Sequence, residues 1–298
     1  MLLRICHTTE FAYGAPAFES HNEIRMLPRD GYGQTVIESR LELSTSAATL
    51  EYDDYFGNRV HAVSIHQPHE SLRIAATSVI EKLPQNSSDI APVPFEEFLR
   101  GHPSRFQSEY DFLRSCRLIP FSQPLREFFE TLRPMKGDDI AGYAKRVTAA
   151  LQQQVQYAPG ATRVDSSVDE ILARRAGVCQ DFAHLAIGVL RLAAIPARYV
   201  SGYLAPSSGD SDDLALAAQA SHAWVEANLP GAGWVGFDPT HGCHSDTRYV
   251  RVAIGRDYSD VPPLRGVYRG NNAGQTMKVE LQVYPAPESD APNGRSQQ

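Results

Sequence analysis

The stretch that most limits the possible folds lies past the middle of the chain, between a glycine and a proline. From Gln180 to Ala194 the residues are apolar nearly all round, with Phe182, Leu185, Ile187, Val189, Leu190 and Leu192 distributed over every face of a helix. Such a helix must be buried inside a domain, because it has no polar side to offer to water. Gly177 interrupts the pattern before it and Pro196 stops it, since proline removes an amide donor and clashes with the preceding turn. Ser167 to Arg175 reads as a short helix ahead of it, and Arg198 to Leu204 as a strand behind it.

The first 85 residues have a different period. Apolar residues alternate in Thr35 to Leu43, in Arg59 to Ile65 and in Arg73 to Glu81, and turn-forming stretches such as Pro28-Arg-Asp-Gly31 and Phe56-Gly-Asn58 separate the runs. Short strands at such spacing predict a small antiparallel β-sandwich over 1–85. Residues 86–105 are rich in Pro, Ser and Asn and read as a linker. Helices follow from Pro124 to Leu132, behind a Ser122 cap, and from Asp138 to Gln154. His222 to Leu229 and Trp234 to Asp238 form strands around Pro230-Gly-Ala-Gly233, a hairpin signal, and Met277 to Tyr284 is a last strand. The expected organisation is thus an N-terminal β domain, the linker, a core over 106–285 and a disordered tail over 286–298. The loop 205–219 is polar and rich in Ser and Asp, which suits a lid or an ordinary surface loop.

Composition removes several classes of function. The formal net charge is -7, with no basic patch, so nucleic acid is not an expected partner. No apolar run is long enough to cross a bilayer, and the opening residues are too polar for a signal-peptide core, so a cytoplasmic protein is expected. The Asn86-Ser87-Ser88 sequon then has no consequence. The four cysteines, Cys6, Cys116, Cys179 and Cys243, form no C-x-x-C pair, and in a reducing compartment they are free thiols.

Cys179 is the thiol whose position carries chemistry. It opens the buried helix, where unpaired N–H groups and the partial positive charge stabilise a thiolate. Gly177 allows a substrate or another backbone to come close, and the N–H of Cys179 can face a developing oxyanion. The plainer alternative is a small buried hydrophobe. A thiol nucleophile needs a base, and His222 opens one strand of the hairpin while Asp238 closes the other. Strand faces alternate, so the two share a face only if paired positions sum to an even number. A carboxylate on one imidazole nitrogen fixes the tautomer and leaves the other nitrogen for the thiol. Among the other candidates, His241, Cys243 and His244 form a cluster that could hold a metal but lacks a fourth ligand at a recognisable spacing, so none is expected there. His184 points away from Cys179 and reads as a packing or capping residue. His61, His66 and His69 read as surface residues, and Asp181 as a complement to the helix dipole.

Gly177-Val-Cys-Gln-Asp-Phe-Ala-His184, Ile195-Pro-Ala-Arg-Tyr-Val-Ser-Gly-Tyr203, Ser221-His-Ala-Trp-Val-Glu226 and Gly233-Trp-Val-Gly-Phe-Asp-Pro-Thr240 resemble bacterial transglutaminase-like proteins. Val252 to Pro263 and Gly266-Val-Tyr268 continue the resemblance, and His7 to Tyr13 with Asp53 to Asn58 resemble the β domain that precedes the family's core. The resemblance implies an α+β fold with a papain-like core and a Cys-His-Asp triad, which falls on Cys179, His222 and Asp238. His241 stands where the family more often has Asn. The animal enzymes of the wider superfamily use calcium and a tryptophan oxyanion donor, and neither has a match here, so no cofactor is expected. Tyr157, Gln180 and Trp224 are candidates for substrate or oxyanion contacts, with a core role as the alternative for Tyr157.

The expected function is acyl transfer from an amide or peptide bond, with a glutamine carboxamide as one donor, through a thioester on Cys179. The expected partner is a peptide or protein substrate, neither membrane nor nucleic acid, and the oligomeric state is left open. Two rival readings are a non-catalytic peptide-binding or assembly scaffold and an acyl-CoA-type N-acyltransferase. The second needs a phosphate-binding loop or basic cluster, and none stands out.

Overall fold

The computed structural model describes residues 1–84, 90–100, 108–206, 221–270 and 274–287. Its N-terminal part is organised by one long strand, β1 (Leu2–Ile24). Residues 2–12 of β1 lie between β5 (His69–Lys82) and β14 (Gln275–Pro285), while residues 20–24 pair with β4 (Arg59–Ile65) and β13 (Leu264–Arg269). β2 (Gln34–Leu43) adds to β5, and β3 (Ala48–Asp53) to β4, which makes one seven-stranded antiparallel sheet. The register of β1 slips where Glu19 takes a left-handed φ of 51°, so the strand turns from one half of the sheet into the other. Ile24, Val63 and Ile65 from one half and Leu72, Ile74 and Ala76 from the other share a buried core. The two halves expected as separate layers of a sandwich are therefore joined through β1. The turn into β4 is built by Asp54, whose Oδ1 accepts the N–H groups of Phe56 and Asn58 across Gly57 at φ 76°.

The buried helix is α5 (Cys179–Leu192), and every side chain from Gln180 to Arg191 is buried. On one side it packs against β8 (Ala197–Leu204) and β9 (His222–Leu229) of an antiparallel sheet. That sheet continues through β10 (Gly233–Asp238) to β11 (Cys243–His244), with β12 (Tyr249–Gly255) beyond β8. On the other sides lie α2 (Gln123–Leu132), α3 (Ile140–Gln154) and α4 (Val168–Arg174). Fully burying each of Phe182, Leu185, Ile187 and Val189 is worth about 1.5–3 kcal/mol, so this helix anchors the domain. The expected Ser122 cap is present, accepting from Leu125, and Asp139 caps α3 by accepting from Gly142. Among the described residues no helix is long and apolar enough to cross a membrane.

Two expectations need correction. The strand read as the end of the core, now β14, pairs instead with residues 3–13 of β1, and β13 joins the same sheet, so residues 264–285 return to the N-terminal sheet. Long-range pairing of this kind leaves no local signal. The segment read as a linker over 86–105 contains α1 (Phe95–Arg100), whose Phe95 and Phe98 enter the main core. Its flanking prolines hid a six-residue amphipathic turn. The 205–219 loop, the tail beyond 287 and the sequon lie largely or wholly outside the described residues.

Candidate active site

The β9–β10 hairpin pairs Gly233 with Leu229 and Phe237 with Val225, so partners sum to an even number and His222 and Asp238 face the same way. They are offset diagonally, and the imidazole bridges the offset. His222 Nε2 lies 2.7 Å from Asp238 Oδ2. Nδ1 is the ring nitrogen not taken by Asp238, and Cys179 lies close enough to this imidazole to help raise its pKa. One helix N-terminus and two strands thus bring the three side chains together.

The Asp238 carboxylate is fully buried and heavily provided with donors. Oδ2 accepts from His222, from His241 Nδ1 at 2.7 Å and from the Tyr249 hydroxyl at 2.8 Å. Oδ1 accepts the backbone N–H groups of Thr240 at 2.8 Å and His241 at 3.3 Å. Burial disfavours the charged carboxylate, but His222 and His241 outweigh it and hold Asp238 well below the usual carboxylate range. Burial likewise opposes a charged His222, yet Asp238 first and Cys179 second raise its pKa well above the ordinary imidazole value. The arrangement favours an imidazolium between a carboxylate and a thiol.

At the head of α5, Asp181 Oδ2 accepts the Val178 N–H at 2.7 Å and the Thr162 hydroxyl at 2.5 Å. Asp181 is therefore a cap as well as a dipole complement. A Cβ on Gly177 would lie 2.4 Å from that carboxylate oxygen. The glycine makes room for the cap that fixes the turn bearing Cys179, a role beside the expected close approach of substrate or backbone. His184 is buried in the helix and its Nε2 accepts the Tyr258 N–H, a packing and capping role as expected. His61 and His69, expected at the surface, are buried: His61 meets Glu51 and His69 bonds to Ser20. Strand pairing gave them partners that their spacing did not show.

The weaker candidates separate. Tyr157 is half-exposed and close enough to Cys179 for that group, after burial, to raise its pKa. Gln180 is buried and ties its amide to Val164 O at 3.1 Å. Trp224 is buried beneath the imidazole, ring centroids 6.2 Å apart, so it supports His222 and is too enclosed to touch a substrate. Sequence reasoning missed Tyr249, because β12 had no periodicity to mark it. It also missed Tyr199, buried beside Cys179 and His184, which alternation along β8 places on the helix-facing side.

His241, Cys243 and His244 do not converge. His241 turns to Asp238, Cys243 contacts the Tyr249 hydroxyl at 3.6 Å, and His244 packs on Phe237 with ring centroids 4.6 Å apart. The donor atoms of His222, Asp238 and His241 do lie within 4.8 Å of one another. Both ring nitrogens, however, sit 2.7 Å from one carboxylate oxygen. That is hydrogen-bond spacing, and an ion bound at about 2.0–2.2 Å from each would have to push them apart.

Comparison with known proteins agrees with this architecture. The structure superimposes on a candidate cysteine protease from Cytophaga hutchinsonii with a TM-score of 0.73, covering 96% of this chain and 92% of that one at 21% identity. The common class is an α+β fold with an antiparallel sheet domain ahead of the core. The profile of the bacterial transglutaminase-like N-terminal region matches residues 3–81, and that of the transglutaminase-like superfamily matches residues 130–239, which hold Cys179, His222 and Asp238. An uncharacterised protein of Mycobacterium leprae is 35% identical over 288 residues, 91% of this chain and 94% of the relative. A protein-glutamine gamma-glutamyltransferase of Pseudomonas aeruginosa is 39% identical over 84 residues, 28% of this chain and 13% of that protein. The chain belongs to the transglutaminase-like superfamily.

Proposed function

We propose that this protein is a cysteine-nucleophile acyl-transfer enzyme acting on amide or peptide bonds, with Cys179 as nucleophile, His222 as acid and base, and Asp238 as the group that orients the imidazole. The observation that carries the reading is the 2.7 Å hydrogen bond between His222 and the buried Asp238 carboxylate, with Cys179 close enough to the same imidazole to help raise its pKa. In the first half-reaction Cys179 Sγ bonds to the carbonyl carbon, the C–N bond breaks, and the His222 proton goes to the leaving amine. The resulting thioester is attacked by water or by an amine, whose proton His222 takes up as Cys179 leaves. The unpaired N–H groups of the first turn of α5 are aimed at the carbonyl oxygen. The glutamine-directed name of the Pseudomonas relative supports a glutamine carboxamide as donor. A peptide or protein substrate and a cytoplasmic setting, consistent with four unpaired cysteines, belong to the same proposal.

The test needs no substrate. Iodoacetamide alkylation of each cysteine is followed by peptide mass spectrometry at several pH values, in wild type and His222→Ala. Cys116 is a built-in control, since burial and Asp257 outweigh Arg191 and push its thiol up to about 12. Cys179 should outpace Cys6, Cys116 and Cys243 at neutral pH and lose that advantage in His222→Ala. A Cys179 no faster than Cys6 and Cys243 in wild type sinks the reading and leaves the scaffold. A peptide-amide hydrolysis screen then tests catalysis, which Cys179→Ala should abolish while leaving any peptide binding intact.

A further inference from the structure

Beyond Trp224, on the sheet face that carries His222 and where the N-terminal sheet meets the core, lies a small polar cavity of about 20 Å³, lined by residues from both parts of the chain. Lys82 enters it from the end of β5, and Trp224, Glu226 and Arg251 from the core sheet. Lys82 is only 6% exposed, and no carboxylate among the described residues forms an ion pair with it. Two carboxylates line the cavity, but each already has an arginine of its own. Glu226 Oε2 accepts from Arg198 Nε at 2.8 Å and Nη2 at 2.6 Å, and Asp246 pairs with Arg248 at 2.9 Å. Arg251 reaches Glu226 only at 3.5 Å, as a second partner. Of the two cations that line the cavity, Lys82 therefore has no carboxylate of its own and Arg251 only a shared, distant one.

A second, independent observation points to a ligand there. Trp224 Nε1 is buried without a hydrogen-bond partner, an expensive state for an indole N–H. It faces the space left by Gly236, where a Cβ would lie 3.4 Å from that nitrogen and 2.0 Å from Ser245 Oγ. An indole N–H, a hydroxyl, an ammonium and a guanidinium thus line one cavity with no acceptor assigned to the indole. The volume admits one occupant of about the size of a water. Water would satisfy the indole but not the charge, whereas an anion satisfies both.

We infer that this cavity is a binding site for one small monovalent inorganic anion of chloride size, held by Lys82, Arg251, the Trp224 N–H and the Ser245 hydroxyl. Bound there, the anion ties β5 of the N-terminal sheet to β9 and β12 of the core. The site stands independently of the chemistry proposed for Cys179, although Trp224 separates it from His222 by a single ring.

The chain has two tryptophans, Trp224 and Trp234, and both line the cavity, so intrinsic fluorescence reports on it directly. Chloride is titrated into the full-length protein against gluconate at fixed ionic strength. The wild type should show a saturable fluorescence change and a higher Tm in chloride, and Lys82→Met should lose both. Bromide-soaked wild-type crystals should carry an anomalous peak among Lys82, Trp224 and Arg251. An unsaturable response equal in both proteins, or a map with only an ordered water there, overturns the assignment. If Lys82→Met does not fold, the bromide map of the wild type decides alone.

Discussion

Replacing Asp238 by Asn tests the site through its most heavily bonded member. The substitution keeps the shape of the side chain but converts one oxygen into a donor. If the amide nitrogen takes the place of Oδ2, three donors lose their acceptor: His222, His241 and Tyr249. If it takes the place of Oδ1, the N–H groups of Thr240 and His241 lose theirs. Even this milder orientation strands two donors, and at about 1–3 kcal/mol for each the fold should lose roughly 2–6 kcal/mol. That is a large part of the ~5–15 kcal/mol typical of a domain. Either orientation also removes the negative charge facing the His222 ring, the first of the influences that raise its pKa against burial. With that charge gone the imidazolium beside Cys179 is less favoured, and Cys179 alkylation at pH 7 should slow. Turnover should fall further, by a factor on the order of 10⁴ if the orienting carboxylate matters as it does in serine-protease triads. Urea denaturation followed by circular dichroism gives the first quantity, and mass-resolved alkylation the second. A variant whose urea midpoint and Cys179 alkylation rate both match wild type would refute the reasoning about how this carboxylate is held.

Four further outcomes follow from the same geometry. Tyr249→Phe removes one of the three donors to Asp238 Oδ2 and should cost about 1.5–3 kcal/mol in urea unfolding, with Cys179 still the fastest thiol. Gly177→Ala drives a methyl against the Asp181 carboxylate, so the helix cap should fail, Tm should drop, and Cys179 alkylation should slow with it. Arg198→Met leaves the buried Glu226 with only its 3.5 Å partner and should destabilise by about 3–5 kcal/mol, measured the same way. Because the His222 pKa is raised on folding, its stabilising contribution is complete below the unfolded value of about 6.5 and is lost as pH rises through the folded value. Asp238 is depressed, so its contribution is complete above the unfolded carboxylate value of about 3.9 and disappears only in strong acid. Wild-type stability should therefore decline from neutral to alkaline pH, and that decline should be smaller in His222→Phe.

The legible parts of the fold were those where one segment carries its own pattern. The all-apolar run after Cys179 predicted a buried helix, and α5 is one. The Pro230-Gly-Ala-Gly233 signal predicted a hairpin, on which His222 and Asp238 share a face only if paired positions sum to an even number, and the pairing of Phe237 with Val225 supplies that parity. The ends of strands were less legible: β1 runs for 23 residues through Gly14 and Pro16, where composition suggests breaks, and there its pairing with β5 slips between Ala12 and Ala17 without ending the strand.

The sequence by itself determined that a hairpin joins the strands of His222 and Asp238 and which thiol sits at a helix N-terminus, since turn signals and helix ends are local properties of the chain, while the register of the hairpin came from the fold. Only the tertiary structure decided that Tyr249 and His241 share the Asp238 carboxylate, that Asp181 fills the space beside Gly177, and that β13 and β14 return to β1. Each joins side chains or strands whose meeting depends on the final packing of the sheets, and buried donors and strand edges find their partners by that packing, wherever in the chain they stand.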